Sequence, residues 1–174
     1  MAPSVTQRAA MLEWRVFIPA AALPAREAAR KDATMIAGAA VIGILLLLAA
    51  VHVYWAAGGK AGKAAGIPTV EGRAVIKPSA LGTAMVAAGL CLIAAILALR
   101  IGWLRLPVIA GDNILVQITA WLIAGVFALR AIGDFRYVGF FKRIRDTRFA
   151  RLDTLAYSPL CAVLAVLIGI AASR

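Results

Sequence analysis

Four long apolar runs dominate the chain: Ala33 to Trp55, Ser79 to Leu99, Asp112 to Gly133 and Thr154 to Ala172. Each is close to the roughly 20 residues that a helix needs to cross a hydrocarbon core of about 30 Å. In that solvent every backbone N–H and C=O must be satisfied within the protein, so a long apolar run predicts a helix. The expected fold is all-α, an integral membrane four-helix bundle with short loops. The punctuation agrees with it. Asp32 is placed to cap the first helix, Tyr54 and Trp55 end it as an aromatic pair at the membrane boundary, and Gly58-Gly59 stops it. Residues 60–78, rich in Gly, Lys and Pro, read as a loop. Arg100, Gly102, Arg105 and Pro107 mark a short turn, and a basic loop runs from Phe135 to Arg151. Pro159 falls within the expected first turns of the fourth helix, where few backbone donors have partners to lose.

The pattern also sets off an N-terminal arm, residues 1–31, from a four-helix domain, residues 32–174. The arm's apolar stretch from Met11 to Leu23 is broken by Glu13, Arg15 and Pro19 and is too short to span. Trp14, Phe17 and Ile18 suit an interfacial anchor. The arm does not have the shape of a signal peptide.

Composition changes the picture in one respect. Hydrophobic residues make up 63% of the chain, against roughly 45–50% in an ordinary soluble domain. Lys and Arg number 19 and Asp and Glu 8, a formal charge of +11. In a soluble protein that excess would suggest nucleic acid. Here most cations lie beside apolar runs, where they meet anionic head groups and set topology, so membrane lipids are the expected partner and nucleic acid is not. The dense cations of loop 135–151 favour its placement on the cytoplasmic side, although the basic arm pulls the other way. Cys91 and Cys161 each sit inside an apolar run and read as small core residues. Gly38, Gly43, Gly82, Gly89 and Gly125 are expected to allow close helix approach.

Topology brings the unusual residues to one membrane face. His52, Tyr54 and Trp55 end the first helix, Arg130 and Asp134 end the third, and Asp153 and Tyr157 begin the fourth. Arg130 is the one charge in the apolar run Ile114 to Ile132, and a charge within a span costs about 2.5–3.5 kcal/mol on insertion scales unless it finds a partner. Asp134, four residues on, is the expected partner on the same helix face. Either the pair is a snorkelling anchor or it forms a polar site in the bundle mouth. His52, the only histidine, reads as an interfacial hydrogen-bond donor or as a general acid or base working with Asp134. A haem or chlorophyll-type pigment on His52 is the weaker alternative, and no ligand spacing supports a metal. The stretch Gly133-Asp134-Phe135-Arg136-Tyr137-Val138-Gly139-Phe140-Phe141-Lys142-Arg143 interleaves aromatics with cations. It reads as an interfacial anchor, or as a capping segment in which Arg136 and Lys142 hold a phosphate or carboxylate. Trp55, Arg130, Tyr137 and Tyr157 are the other candidates for ligand or head-group contact.

Three stretches resemble a known family: His52-Val53-Tyr54-Trp55-Ala56-Ala57-Gly58-Gly59, the segment Gly133 to Arg143 just quoted, and Tyr157-Ser158-Pro159-Leu160-Cys161. The family is the group of small bacterial four-helix membrane proteins catalogued as domain of unknown function 3995. The resemblance covers about Ala33 to Ala172. It implies a four-helix membrane protein and supplies no activity, substrate or cofactor; the expected location is the bacterial inner membrane, as a multi-pass protein. The N-terminal arm looks longer than is usual there. The leading expectation is a non-enzymatic structural, accessory or assembly component that packs against lipid or other membrane subunits. The alternative is a membrane enzyme or lipophile-binding protein built around His52 and Asp134.

Overall fold

The computed structural model describes residues 22–70, 73–107 and 109–173. The chain divides into two units, residues 1–32 and 33–174, and the second carries the bundle. The expected anchor at Trp14, Phe17 and Ile18 lies outside the described residues.

Among the described residues four helices are long and apolar enough to cross a membrane. Helix α1 is Ala22–Ala56, α2 is Ala80–Ile101, α3 is Ile114–Ile132 and α4 is Arg148–Ala172. The chain is a multi-pass membrane protein. Its helices present most of their apolar side chains outwards: Leu81, Met85 and Leu92 on α2, Leu122, Val126 and Leu129 on α3, and Val166 on α4 are all exposed. Such a surface would aggregate in water and is at home in hydrocarbon.

Local chemistry explains the boundaries. Ser79 Oγ accepts the Gly82 N–H at 3.0 Å to start α2, Asn113 Oδ1 accepts that of Leu115 at 2.8 Å to start α3, and Thr147 Oγ1 accepts that of Ala150 at 3.0 Å to start α4. Two boundaries depart from expectation. Helix α1 is already helical at Ala22, ahead of Asp32, because Ala-Arg-Glu-Ala-Ala-Arg-Lys is a strong helix-forming sequence, laced by a Glu27–Lys31 pair at 3.0 Å. Charge ends a membrane span without ending a helix. Helix α4 begins at Arg148, not near Thr154, for the same reason.

The second departure places Pro159 well inside α4. Residues Asp153–Tyr157 form one turn of π-helix between two α-helical segments, Arg148–Leu152 and Ser158–Ala172. The Ser158 N–H donates to the Asp153 carbonyl, five residues back. Proline has no N–H, and its ring clashes with the carbonyl four residues earlier. Widening the preceding turn relieves both problems without breaking the helix.

The core lies where the four helices meet. Val41 and Leu45 of α1, Leu97 of α2, Ala120 and Ala124 of α3, and Leu164 and Ile168 of α4 pack together. Helix α3 packs along α4 more extensively than either does on α2, because small residues line its buried face. Close approach involves fewer glycines than expected. A methyl on Gly38 would meet Ile101 at 2.6 Å, whereas Gly43, Gly89 and Gly125 have no neighbour within 4 Å. The loop after α1 holds a 3-10 turn, Lys63–Gly66, and a two-residue antiparallel pairing of Thr69–Val70 with Arg73–Ala74.

At one end of the bundle Arg100 is buried, 3% exposed. Its guanidinium donates to the carbonyls of Gly111 at 3.1 Å and Ala172 at 3.0 Å, and Gln117 donates to the same Ala172 oxygen at 3.3 Å. A cation expected to mark a short turn thus caps the C-terminal carbonyls of α4.

Candidate functional site

The opposite end, where α1 and α3 finish and α4 starts, collects the unusual chemistry. Its centre is Asp153, which is 0% exposed. Asp153 Oδ1 accepts Arg130 Nη2 at 2.9 Å. Oδ2 accepts three donors: the Gly139 backbone N–H at 2.8 Å, Lys142 Nζ at 2.9 Å and Ser158 Oγ at 3.1 Å. Lys142 is 2% exposed, and its ammonium also donates to the Gly139 carbonyl at 2.9 Å and to Thr154 Oγ1 at 2.7 Å. All three ammonium protons are therefore used. Taking an ion pair out of water is costly, and the cost is recovered only when the remaining lone pairs and protons are also satisfied. Asp153 and Lys142 meet that condition. Arg130 meets it in part, since its Nη1 is buried with no hydrogen-bond partner among the described residues.

The expected Arg130–Asp134 pairing does not form. Spacing of four matters only while the helix continues, and α3 stops at Ile132. Gly133 turns the chain with φ of 96° and Gly139 turns it back with φ of 87°. The two glycines touch backbone to backbone, so a methyl on either would overlap the other's main chain. The returning strand then caps α3: Phe140 N–H donates to the Ala131 carbonyl at 2.8 Å and Phe141 N–H to that of Ile132 at 3.3 Å. Asp134, now off the helix, holds the turn between the glycines. Its Oδ1 accepts the N–H groups of Arg136 at 2.9 Å, Tyr137 at 2.7 Å and Val138 at 3.0 Å. Slight burial works to raise the Asp134 pKa. The bonds from Val138, Arg136 and Tyr137 together outweigh it and hold the carboxyl below the usual aspartate value.

The other predicted residues fall into separate groups. His52 Nδ1 lies 2.7 Å from the Leu48 carbonyl of its own helix. A carbonyl only accepts, so Nδ1 carries the proton. The ring packs edge-on to Trp55, centroids 5.2 Å apart. Among the described residues no hydrogen bond or ion pair joins His52 to Asp134. Trp55 Nε1 donates to the Ala61 carbonyl at 2.8 Å and Tyr157 Oη to that of Ala65 at 3.3 Å. Both rings therefore shape the loop after α1, and Tyr157 ties it to α4. The Arg136 guanidinium lies over the Tyr137 ring at 5.1 Å. Lys142, expected as a head-group cation, is committed to Asp153, and among the described residues no group of three His, Cys, Asp or Glu side chains could hold a metal.

Asp153 belongs to this face by sequence, but its place at the centre is decided by the fold. A usable signal was present. Arg130 needs a carboxylate at its own depth, and Asp153 is the acidic residue that opens the next apolar run.

Fold and site together define a class: a four-helix multi-pass membrane protein whose third interhelical loop is fastened to the bundle by a buried carboxylate. The chain belongs to the family described as Protein of unknown function (DUF3995), whose model matches residues 45–168. No curated protein and no solved structure matches it.

Proposed function

We propose that the chain is a non-catalytic component of the bacterial inner membrane, a structural, accessory or assembly subunit, with loop 135–151 on the cytoplasmic side. One observation carries this reading: the acid–base groups of the polar face are engaged by donors and acceptors of the fold itself. Asp153 accepts four bonds, Asp134 Oδ1 three, and His52 is tied to its own helix. A general acid or base needs an atom within hydrogen-bond reach of a substrate. Asp153 is fully buried, and the exposed Asp134 has its Oδ1 taken up by the backbone of its own turn. Membrane lipid and other membrane subunits are the partners such a protein would have.

The test uses the protein purified in mild detergent. The expected sample is colourless, and its native mass exceeds that of one 18.2 kDa chain through a stoichiometric partner. His52→Ala and Asp134→Ala variants that fold are expected to complement a deletion strain as the wild type does. Visible absorption bands would instead assign a pigment or haem. A folded variant that fails to complement would restore the proton-transfer alternative.

A further inference from the structure

We infer that the cleft between Arg136 and Arg143 binds the phosphate of an anionic phospholipid head group. The inference needs only a membrane-embedded chain and stands whether or not the accessory reading holds. The cleft has a volume of about 490 Å³ and is lined by Asp134, Phe135, Arg136, Arg143 and Ile144. Its two cationic walls belong to one loop, which one backbone bond closes: the Ile144 N–H donates to the Arg136 carbonyl at 3.1 Å. Both side chains are exposed, and neither has an ion-pair partner among the described residues. The other cations nearby are placed differently. Lys142 is consumed by Asp153, and Arg145 Nε donates to the Lys142 carbonyl at 3.2 Å.

The Arg136 guanidinium lies over the Tyr137 ring, 5.1 Å from its centroid, a contact that restrains the side chain without using the N–H donors a bidentate contact needs. Asp134 opposes an anion here, but its Oδ1 is shared among three backbone N–H groups, and two guanidiniums against one carboxylate leave the cleft cationic.

The neighbouring rings favour a lipid over a soluble anion. Phe135 holds φ of 60°, the left-handed region that non-glycine residues rarely occupy. Its ring is 57% exposed and lies 6.3 Å from that of Phe141, itself 61% exposed. The loop follows directly on the last turn of a spanning helix, so this apolar pair stands at the membrane boundary beside two unpaired arginines. Aromatic rings at the head-group level and cations on phosphate are the combination that a lipid surface selects.

The full chain in nanodiscs of equal phosphatidylglycerol and phosphatidylcholine tests this, with retained lipid read by native mass spectrometry after mild delipidation. The wild type is expected to retain phosphatidylglycerol preferentially. Arg136→Gln with Arg143→Gln is expected to lower that preference about thirtyfold, whereas Arg148→Gln with Arg151→Gln, the same charge removed from exposed positions nearby, changes it less than about twofold. Thermal unfolding checks that each variant is folded; if the first pair is not, Arg143→Gln alone is read. Equal loss in both pairs would reduce the effect to diffuse attraction and overturn the site, as would an unchanged preference in the first pair. If millimolar inorganic phosphate abolishes the wild-type preference, the cleft is a soluble-anion site and the lipid assignment fails.

Discussion

At the scale of single residues, Asp153 is the position where one change does most. Removing its carboxylate leaves the Lys142 ammonium buried and uncompensated and takes the half-buried Arg130's anionic partner away. Asp153→Ala is expected to destabilise the protein by about 3–5 kcal/mol, read as a lower unfolding temperature in detergent. Adding Lys142→Met should recover part of that loss, because an apolar group no longer needs the missing anion. A double variant as unstable as the sum of the singles would show that the pair is not coupled. Asp134 behaves differently, because its partners are backbone N–H groups and its exposure is high. Its folded pKa lies below the ordinary 3.8, so its contribution is present above that value and is lost as pH falls through the folded one. Hydrogen exchange in residues 135–141 is expected to show unchanged protection between about pH 7 and pH 5, after correction for the intrinsic rate, and to lose it only below the ordinary carboxylate range. Asp134→Asn keeps the acceptor oxygen and should remove the pH dependence. If protection already falls at neutral pH, the loop is held by something else.

At the scale of elements, the π-turn sets the register of α4. Each residue in a helix advances about 100° around the axis, so one extra residue in a turn re-aims everything before it relative to everything after. Asp153 lies at the start of that turn, while the core positions Leu164 and Ile168 lie beyond it. Deleting Leu155, which is 77% exposed, removes no partner from the polar network. It should still cost about as much as Asp153→Ala, because closing the turn rotates Asp153 away from Arg130, Gly139 and Lys142. Thermal unfolding of the two variants side by side checks this. A deletion variant as stable as the wild type would mean that the bulge merely absorbs Pro159. The Gly133–Gly139 turn is the matching device on α3. It ends the helix and delivers the Gly139 N–H to the same carboxylate.

At the scale of the molecule, the bundle has an apolar middle and one polar fastening at each end. Arg100 holds the C-terminal end of α4 to the α2–α3 side, and Asp153 holds its other end to α3 and the loop that follows. The segment between them, residues 153–172, is about 28 Å long at 1.5 Å per residue. Sites that far apart with no shared partner add independently. Arg100→Met with Asp153→Ala is therefore expected to destabilise by the sum of the single effects within about 0.5 kcal/mol, measured by denaturation in mixed micelles. A departure beyond that would mean that α4 moves as a rigid rod, so that freeing one end loosens the other.

The four spans and the all-α fold were determined by the sequence itself, because run length against bilayer thickness needs no knowledge of contacts. The gathering of Arg130, Asp134, Asp153 and Tyr157 at one face also followed from the sequence, since helix direction alternates. The tertiary structure decided who pairs with whom. Arg130 and Asp134 have ideal helical spacing, but Gly133 ends the helix between them, and whether a glycine ends a helix or packs inside one depends on what its backbone meets. Lys142 and Arg143 are adjacent cations in one basic run. Only the fold buries the first against Asp153 and leaves the second in an open cleft beside Arg136. Composition places charge at a membrane face; partners for that charge depend on register, and register here was set by one π-turn and two glycines whose effect is felt only once the helices are packed.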